Sequence, residues 1–148
     1  MQDNFQTDDL DRRILTALAV DSRRSYADLA GEVGMSTAAV HERVRKMVDR
    51  GVIERFSIKV APEALGLHLT AFVAIRNDGG AHCREIATRL RELPEVVEVH
   101  SVAGEHDSLV KVRCVHARAL EDVLYAIKAI PGVLRTTSTV VLNTEFER

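Results

Sequence analysis

Tryptophan is absent from the 148 residues, and aromatic residues amount to only 4 %. So thin a supply excludes an aromatic platform on which single-stranded nucleic acid could stack. Cysteine is nearly missing as well. Cys83 and Cys114 are too few for a disulfide framework, which points to the reducing cytoplasm. The longest apolar run, Ala71 to Ile75, falls far short of a membrane span. The opening MQDNFQTDDLD is acidic and polar and does not read as a signal peptide. What remains is a globular balance of 46 % hydrophobic and 28 % charged residues. The length fits one ordinary domain or two small ones.

The net charge of -2 by itself speaks against a nucleic-acid partner, but its distribution speaks for one. Residues 1–11 carry Asp3, Asp8, Asp9 and Asp11 and no base. Residues 36–60 carry Arg43, Arg45, Lys46, Arg50, Arg55 and Lys59 against Glu42, Asp49 and Glu54, a local charge of +3. Residues 61–148 hold ten bases and twelve acids. A locally basic segment on a near-neutral chain can still meet DNA.

The first sixty residues read as three short helices. Leu10, Ile14, Leu15 and Leu18 recur at helical spacing behind the acidic start Asp8-Asp9, which suits the positive end of a helix dipole. Ser25 with Asp28 fits a capping box, and Leu29, Ala30 and Val33 form the apolar face that follows. Gly34 suits a left-handed helix end, and Ser36 can cap a third helix in which Val40, Val44, Met47 and Val48 share a face. After Gly51, the stretch Val52 to Val60 reads as extended, with Phe56, Ile58 and Val60 alternating against Ser57 and Lys59.

Only Gly34-Met35-Ser36 separates the second and third helices. Two short amphipathic helices joined by a tight glycine turn form a helix-turn-helix, whose second helix enters the major groove and presents its N-terminal residues to base edges. That assignment makes Ser36, Thr37, Ala38 and His41 base-proximal, with Arg43, Arg45 and Lys46 on the same helix as cations for phosphate or guanine. The same pattern also fits a solvated charged face on an ordinary three-helix unit.

Beyond a connection at residues 60–67 the chain repeats with a period of 37: Val73 matches Val110, Ile75 matches Val112, and Leu93-Pro94 matches Ile130-Pro131. Each unit reads strand, helix, proline, strand, because proline stops the helix and the β-branched run behind it favours a strand. Two such units predict a ferredoxin-like βαββαβ domain, with strands near 68–76, 96–102, 108–115 and 135–142 and helices near 82–93 and 118–130. The fold class is therefore α+β: a winged-helix-like helix-turn-helix domain at 1–59, a linker at 60–67 and a second domain at 68–148. Helices cover one face of such a sheet. The other, read as rich in Val, Leu and Ala, needs a cover, and a second copy of the chain or the first domain would provide it.

Between the second and third strands lies Ala103-Gly104-Glu105-His106-Asp107-Ser108, a polar loop between apolar strands. A free amino acid needs a carboxylate for its ammonium group and N–H or hydroxyl donors for its own carboxylate. Asp107 offers the first, Gly104 a close backbone approach, and Thr136 to Thr139 a run of hydroxyls. A plain β-turn in which Gly and Asp serve geometry fits as well. A metal site or catalytic centre has weaker support. His82 and Cys83 are adjacent on a helix and diverge, Cys114 and His116 would need two further ligands, and both cysteines fall on the apolar pattern. His106-Asp107 has no nucleophile placed beside it by motif, so the sequence points to no enzyme and no cofactor.

In order and spacing the chain resembles the Lrp/AsnC family, the leucine-responsive and asparagine-operon regulators. The resemblance rests on Asp8-x-x-Asp11-x-x-Ile14-Leu15, Leu29-Ala30-x-x-Val33-Gly34-x-Ser36, Val40-x-x-Arg43-Val44 and Gly51-Val52-Ile53. It continues through Pro62-Glu63-x-Leu65-Gly66, Gly104-Glu105-His106-Asp107, Pro131-Gly132-Val133 and Thr137-x-Thr139. It implies a regulator that binds double-stranded DNA through the first domain and a free amino acid through the second. It also implies homodimers assembling to tetramers or octamers, with the effector where dimers meet. Asp107 matches the acidic residue tied to effector response, and Thr137 and Thr139 match last-strand positions near the ligand. Gly104, Glu105 and His106 complete that loop, and the family varies at the position of His106. The family also contains members for which no effector is known, so an effector-independent architectural DNA-binding protein stays open, as does an amino-acid-binding regulatory subunit, which would account for residues 68–142 but not for 8–51.

Overall fold

Among residues 7–79 and 83–147, which the computed structural model describes, three capped helices lie in the first unit, Met1–Lys59. Helix α1 spans Asp9–Val20, α2 Tyr26–Val33 and α3 Thr37–Asp49. Asp8 starts α1 with a complete capping box: its Oδ1 accepts from the Asp11 N–H at 2.7 Å, and the Asp11 carboxylate accepts from the Asp8 N–H at 3.2 Å. The box expected at Ser25 is half formed. Ser25 Oγ accepts from the Asp28 N–H, but the Asp28 carboxylate takes the Ser25 hydroxyl at 2.6 Å instead of reaching back to the backbone. Gly34 ends α2 at φ 73, a left-handed conformation that L side chains resist, and Ser36 caps α3 two residues later.

The apolar faces meet in one cluster of Ile14, Ala17, Leu18, Leu29, Ala30, Val33, Val40, Val44 and Met47. Val48, expected on the α3 core face, is 43 % exposed. The Val52 and Ile53 N–H groups both donate to the Met47 carbonyl, so the chain leaves α3 folded back onto the core. The extended stretch Val52 to Val60 forms no strand within the described chain. A strand needs an edge that takes its N–H and C=O groups, and a unit otherwise built of helices offers none. Phe56 and Ile58 stand 48 % and 83 % exposed there.

The second unit, Val60–Arg148, opens with a 3₁₀ turn at Pro62–Leu65. It continues with β1 (Leu69–Asn77), α4 (Cys83–Arg91), β2 (Val96–Ser101), β3 (Ser108–Cys114), α5 (Ala117–Lys128) and β4 (Val133–Val140). The four strands form an antiparallel sheet in the order β2-β3-β1-β4, so the first strands of the two repeats lie side by side at its centre. Val73 stands directly across from Val110, its match in the repeat. That register makes the duplication a two-fold of the fold as well as of the sequence. The last strand runs 133–140 where 135–142 was expected, because the chain enters it straight after Gly132 and pairs Val133 with Asn77 across an irregularity at Arg76/Asn77.

One face of the sheet presents Ala71, Val73, Ile75, Val110, Val112 and Cys114 to Ile86 and Leu90 of α4 and to Leu120, Val123 and Ile127 of α5. Cys114 is the core thiol the pattern predicted, and burial pushes its thiol pKa up, with the Glu95 charge adding to the rise. His116 caps α5, its Nδ1 accepting from the Ala119 N–H at 3.1 Å. His82 and the side chain of Cys83 lie outside the described residues. The opposite face is less apolar than its reading as Val, Leu and Ala. Its cross-strand rows run His100–Leu109–Ala74–Thr137 and Glu98–Lys111–Phe72–Thr139, with Arg113 beside Thr70. Lys111, 9 % exposed, meets Glu147 at 2.6 Å and Glu98 at 3.3 Å, so the end of the chain returns to this face. No helix among the described residues is long and apolar enough to cross a membrane.

Candidate functional site

The turn at Gly34 sets the start of α3 out in solvent. Ser36 Oγ accepts from the Ala39 N–H at 3.2 Å, and Ser36, Thr37, Ala38 and His41 are all exposed. The first turn of α3 holds no acidic residue, so nothing on it opposes an approaching phosphate or an electronegative base edge. His41 meets the ring of Tyr26 at 5.5 Å between centroids, with the planes at 69°.

The cations of α3 are differently placed from one another. Arg43 turns toward α1, where its Nη1 donates to Asp8 Oδ2 and Asp11 Oδ1, each at 2.7 Å. Asp11 is buried, with 6 % of its side chain exposed, and Arg43 keeps 28 %. The Asp11 N–H first and the Arg43 guanidinium second hold the Asp8 carboxyl below its usual value of 3.8. Arg45 and Lys46 are exposed. Arg45 forks onto Glu42 at 2.8 and 3.0 Å and reaches Asp49 at 3.3 Å, and Lys46 stands 3.6 Å from Glu42. Glu42 is accordingly held below the usual carboxylate range, chiefly by Arg45. The +3 of residues 36–60 already counts Glu42 and Asp49, so Asp8 and Asp11 lower it to a local +1. Arg43 is matched by two aspartates from outside the segment, and Arg45 and Lys46 by acids on their own helix.

In the second unit the loop from 102 to 107 is closed by Asp107. Its carbonyl accepts from the Val102 N–H at 3.1 Å, and its N–H donates to the Ile75 carbonyl at 2.9 Å. Its Oδ2 accepts from the Asn77 N–H at 2.8 Å. Asp107 thus extends the β1–β3 edge by one step while holding the end of β1. Gly104 and Glu105 are exposed at the tip of the loop, and His106 and Asp107 are half-buried. Gly104 adopts φ 149 with open space where a Cβ would stand. Thr137 lies across from Ala74 and Thr139 across from Phe72, both exposed on the sheet face away from the helices. Asp107 flanks β1 on one side and β4 flanks it on the other, a gap of roughly 10 Å at ordinary strand spacing. Thr139 is two residues further along, about another 7 Å. The structure gathers Gly104 to Asp107 at one end of the sheet, sets Thr137 near that end, and leaves Thr139 toward its middle.

A model of the AsnC-type helix-turn-helix domain matches residues 8–48, and a model of the Lrp/AsnC ligand binding domain matches residues 70–148. The chain belongs to the Lrp/AsnC family. The HTH-type transcriptional regulator LrpA of Mycobacterium tuberculosis is 42 % identical to it over 143 residues, covering 97 % of this chain and 95 % of the relative. Two solved structures carry ligands. The feast or famine regulatory protein of M. tuberculosis complexed with L-methionine superposes with a TM-score of 0.88 at 41 % identity, covering 95 % of each chain. A transcriptional regulator of Neisseria meningitidis, also complexed with L-methionine, gives 0.87 at 26 % identity, covering 96 % of this chain and 94 % of that one. The chain is thus a DNA-binding transcriptional regulator of the Lrp/AsnC type.

For this Lrp/AsnC chain, sequence reasoning missed the pairing of Asp8 and Asp11 with Arg43 and the ring contact of Tyr26 with His41. Asp8 belongs to the acidic start of α1 and Asp8-x-x-Asp11 to the family resemblance, yet neither reading shows that the two aspartates hold α3 through Arg43, 35 and 32 residues away. The spacing Asp8-x-x-Asp11 was a legible signal for the capping box but not for the distant arginine. Tyr26 carried no motif, because a half-buried aromatic at a helix start matches no pattern in a single sequence.

Proposed function

We propose that two copies of the chain place their α3 helices in successive major grooves of double-stranded DNA and that a free amino acid at the 104–107 loop biases how dimers assemble. In this reading Ser36, Thr37, Ala38 and His41 face base edges, while Arg45 and Lys46 leave their intrahelical acids for phosphates. Arg43 holds α3 on α1. The observation that carries the reading is the exposed, acid-free first turn of α3 behind the Gly34 turn, in a chain of this family. The compensated charge of α3 favours base reading over an architectural protein that grips phosphates alone.

For the amino acid, support comes from the two relatives with L-methionine bound and from the open polar loop. Asp107 would take the ammonium group while keeping the Asn77 N–H. Gly104 to His106 and the Thr137 hydroxyl line the same end of the sheet, with Thr139 further in. The distance between Asp107 and β4 is more than one small ligand spans, which fits a site completed by another copy where dimers meet, in tetramers or octamers. The chain acts by binding, in the cytoplasm, with no reaction and no cofactor. A ligand selective for one assembly shifts the equilibrium by its differential affinity. The test is a thermal-shift screen of the twenty amino acids on the full chain, since a ligand of the native state raises apparent stability. Methionine and its apolar neighbours should raise the melting temperature, and a flat screen would leave an effector-independent regulator.

A further inference from the structure

We propose that Tyr26 is the positioning residue for base reading by His41, and that together they read a purine in the major groove. The inference rests on α3 being the groove-entering helix. His41 is the fifth residue of α3 and exposed, one helical turn beyond Thr37 and Ala38. An exposed imidazole ordinarily samples several rotamers, and freezing one side chain on binding costs roughly two- to tenfold in affinity. Here the ring is already braced. Tyr26, the first residue of α2, lies partly buried against the core, and its ring meets His41 edge to face at 5.5 Å. The brace comes from the other helix of the motif, so it fixes the side chain and also its relation to the helix that crosses the DNA backbone.

Both nitrogens of His41 remain unspent. Among the described residues no hydrogen bond or ion pair engages them, unlike the guanidinium groups of Arg43 and Arg45. A neutral imidazole carries one N–H donor, and N7 is the acceptor that both purines present in the major groove. His41 is therefore the side chain of α3 with a polar head that is exposed, oriented and uncommitted.

The experiment selects bound DNA from a pool of random-sequence 30-base-pair duplexes with the full chain. It compares the parent with His41→Ala, Tyr26→Phe, Tyr26→Leu and Tyr26→Met. The parent should enrich a two-fold motif with a purine preference, and His41→Ala should lose that preference at one symmetric pair of positions. Tyr26→Leu and Tyr26→Met should lose the same pair and bind the parental motif more weakly by roughly two- to tenfold per copy, with an unchanged salt slope. Tyr26→Phe, which keeps the ring, should restore it. If His41→Ala keeps every position, the reading of His41 in the groove falls. If His41→Ala loses the pair while both aliphatic variants keep it, or lose all positions evenly, the role of Tyr26 falls. A check that needs no substitution is the proton spectrum of the parent. His41 ring protons without a ring-current displacement from the neighbouring ring would refute the brace.

Discussion

Replacing Arg43 by methionine separates a structural arginine from a DNA contact. The Asp11 carboxylate, 6 % exposed, takes two hydrogen bonds: Arg43 Nη1 at 2.7 Å and the Asp8 N–H at 3.2 Å. Methionine preserves the aliphatic stem and removes the stronger of the two. A hydrogen bond to a charged group contributes about 1.5–3 kcal/mol, and a carboxylate left buried without it bears the desolvation penalty as well. Arg43 keeps 28 % of its side chain in solvent, which screens the pair and holds the expected loss to about 2 kcal/mol. In a unit of this size that lowers the melting temperature by roughly 8–16 °C. The assay is hydrogen exchange across residues 9–49 of the full chain in a urea series, which reports the helical unit separately from the sheet. Arg43→Met with Asp11→Asn should cost less than the sum of the single changes, because the two act on one interaction. A variant within about 0.5 kcal/mol of the parent, combined with a salt slope for DNA binding reduced by about 0.9 per copy, would refute this assignment and make Arg43 a phosphate contact.

The same cluster sets an acid limit: the Asp8 carboxyl is held below 3.8 in the fold, so its stabilisation is complete above that value and lost as pH falls through the lower folded one. Acid titration of the helical unit should show this loss, and Arg43→Met should reduce it. Arg45→Ala should lower the salt slope by about 0.9 per copy, measured by fluorescence anisotropy between 50 and 200 mM salt, taken as about the usual working range. Glu42→Gln should act in the opposite sense, tightening binding by freeing Arg45 and Lys46 from their shared acid. At Asp107 the charge and the acceptor separate. Asp107→Asn should keep the Asn77 N–H bond and the fold but lose any amino-acid shift in a thermal assay, whereas Asp107→Ala should also cost about 1 kcal/mol.

The sequence carried the sheet more fully than the charge pattern. The 37-residue repeat predicted two βαβ halves, and Val73 opposite Val110 shows why: matched residues of a duplicated unit meet at its two-fold, in the core, where side-chain identity is most constrained. Helix ends were legible where one side chain decides them, as at Gly34 and Ser36. They were less legible at Val133, where an irregularity across from Asn77 shifts the register. Val52 to Val60 alternates like a strand and is none within the described chain, because alternation states which side is apolar and not whether an edge exists to pair with. Asp8, Asp11 and Arg43 were each visible, but their pairing spans more than thirty residues and depends on how α1 and α3 cross.

Counting charge along the segment therefore misjudges the surface proposed to meet DNA. Arg43 already faces the acids of α1, and Arg45 and Lys46 face those of α3. An arginine leaving Glu42 for a phosphate exchanges one ion pair for another, so its net gain is smaller than that of a free cation. The exchange still releases counterions from the DNA, so the salt slope can be ordinary while affinity per copy stays modest. Such a surface places discrimination on uncharged contacts at the start of α3 and places strength on joining copies, since linked sites raise avidity without any new contact. In the proposed assembly an amino acid that changes how dimers join would change DNA affinity without touching α3. On that proposal the sheet end at Asp107, and not the helix that enters the groove, would be the place where regulation is tuned.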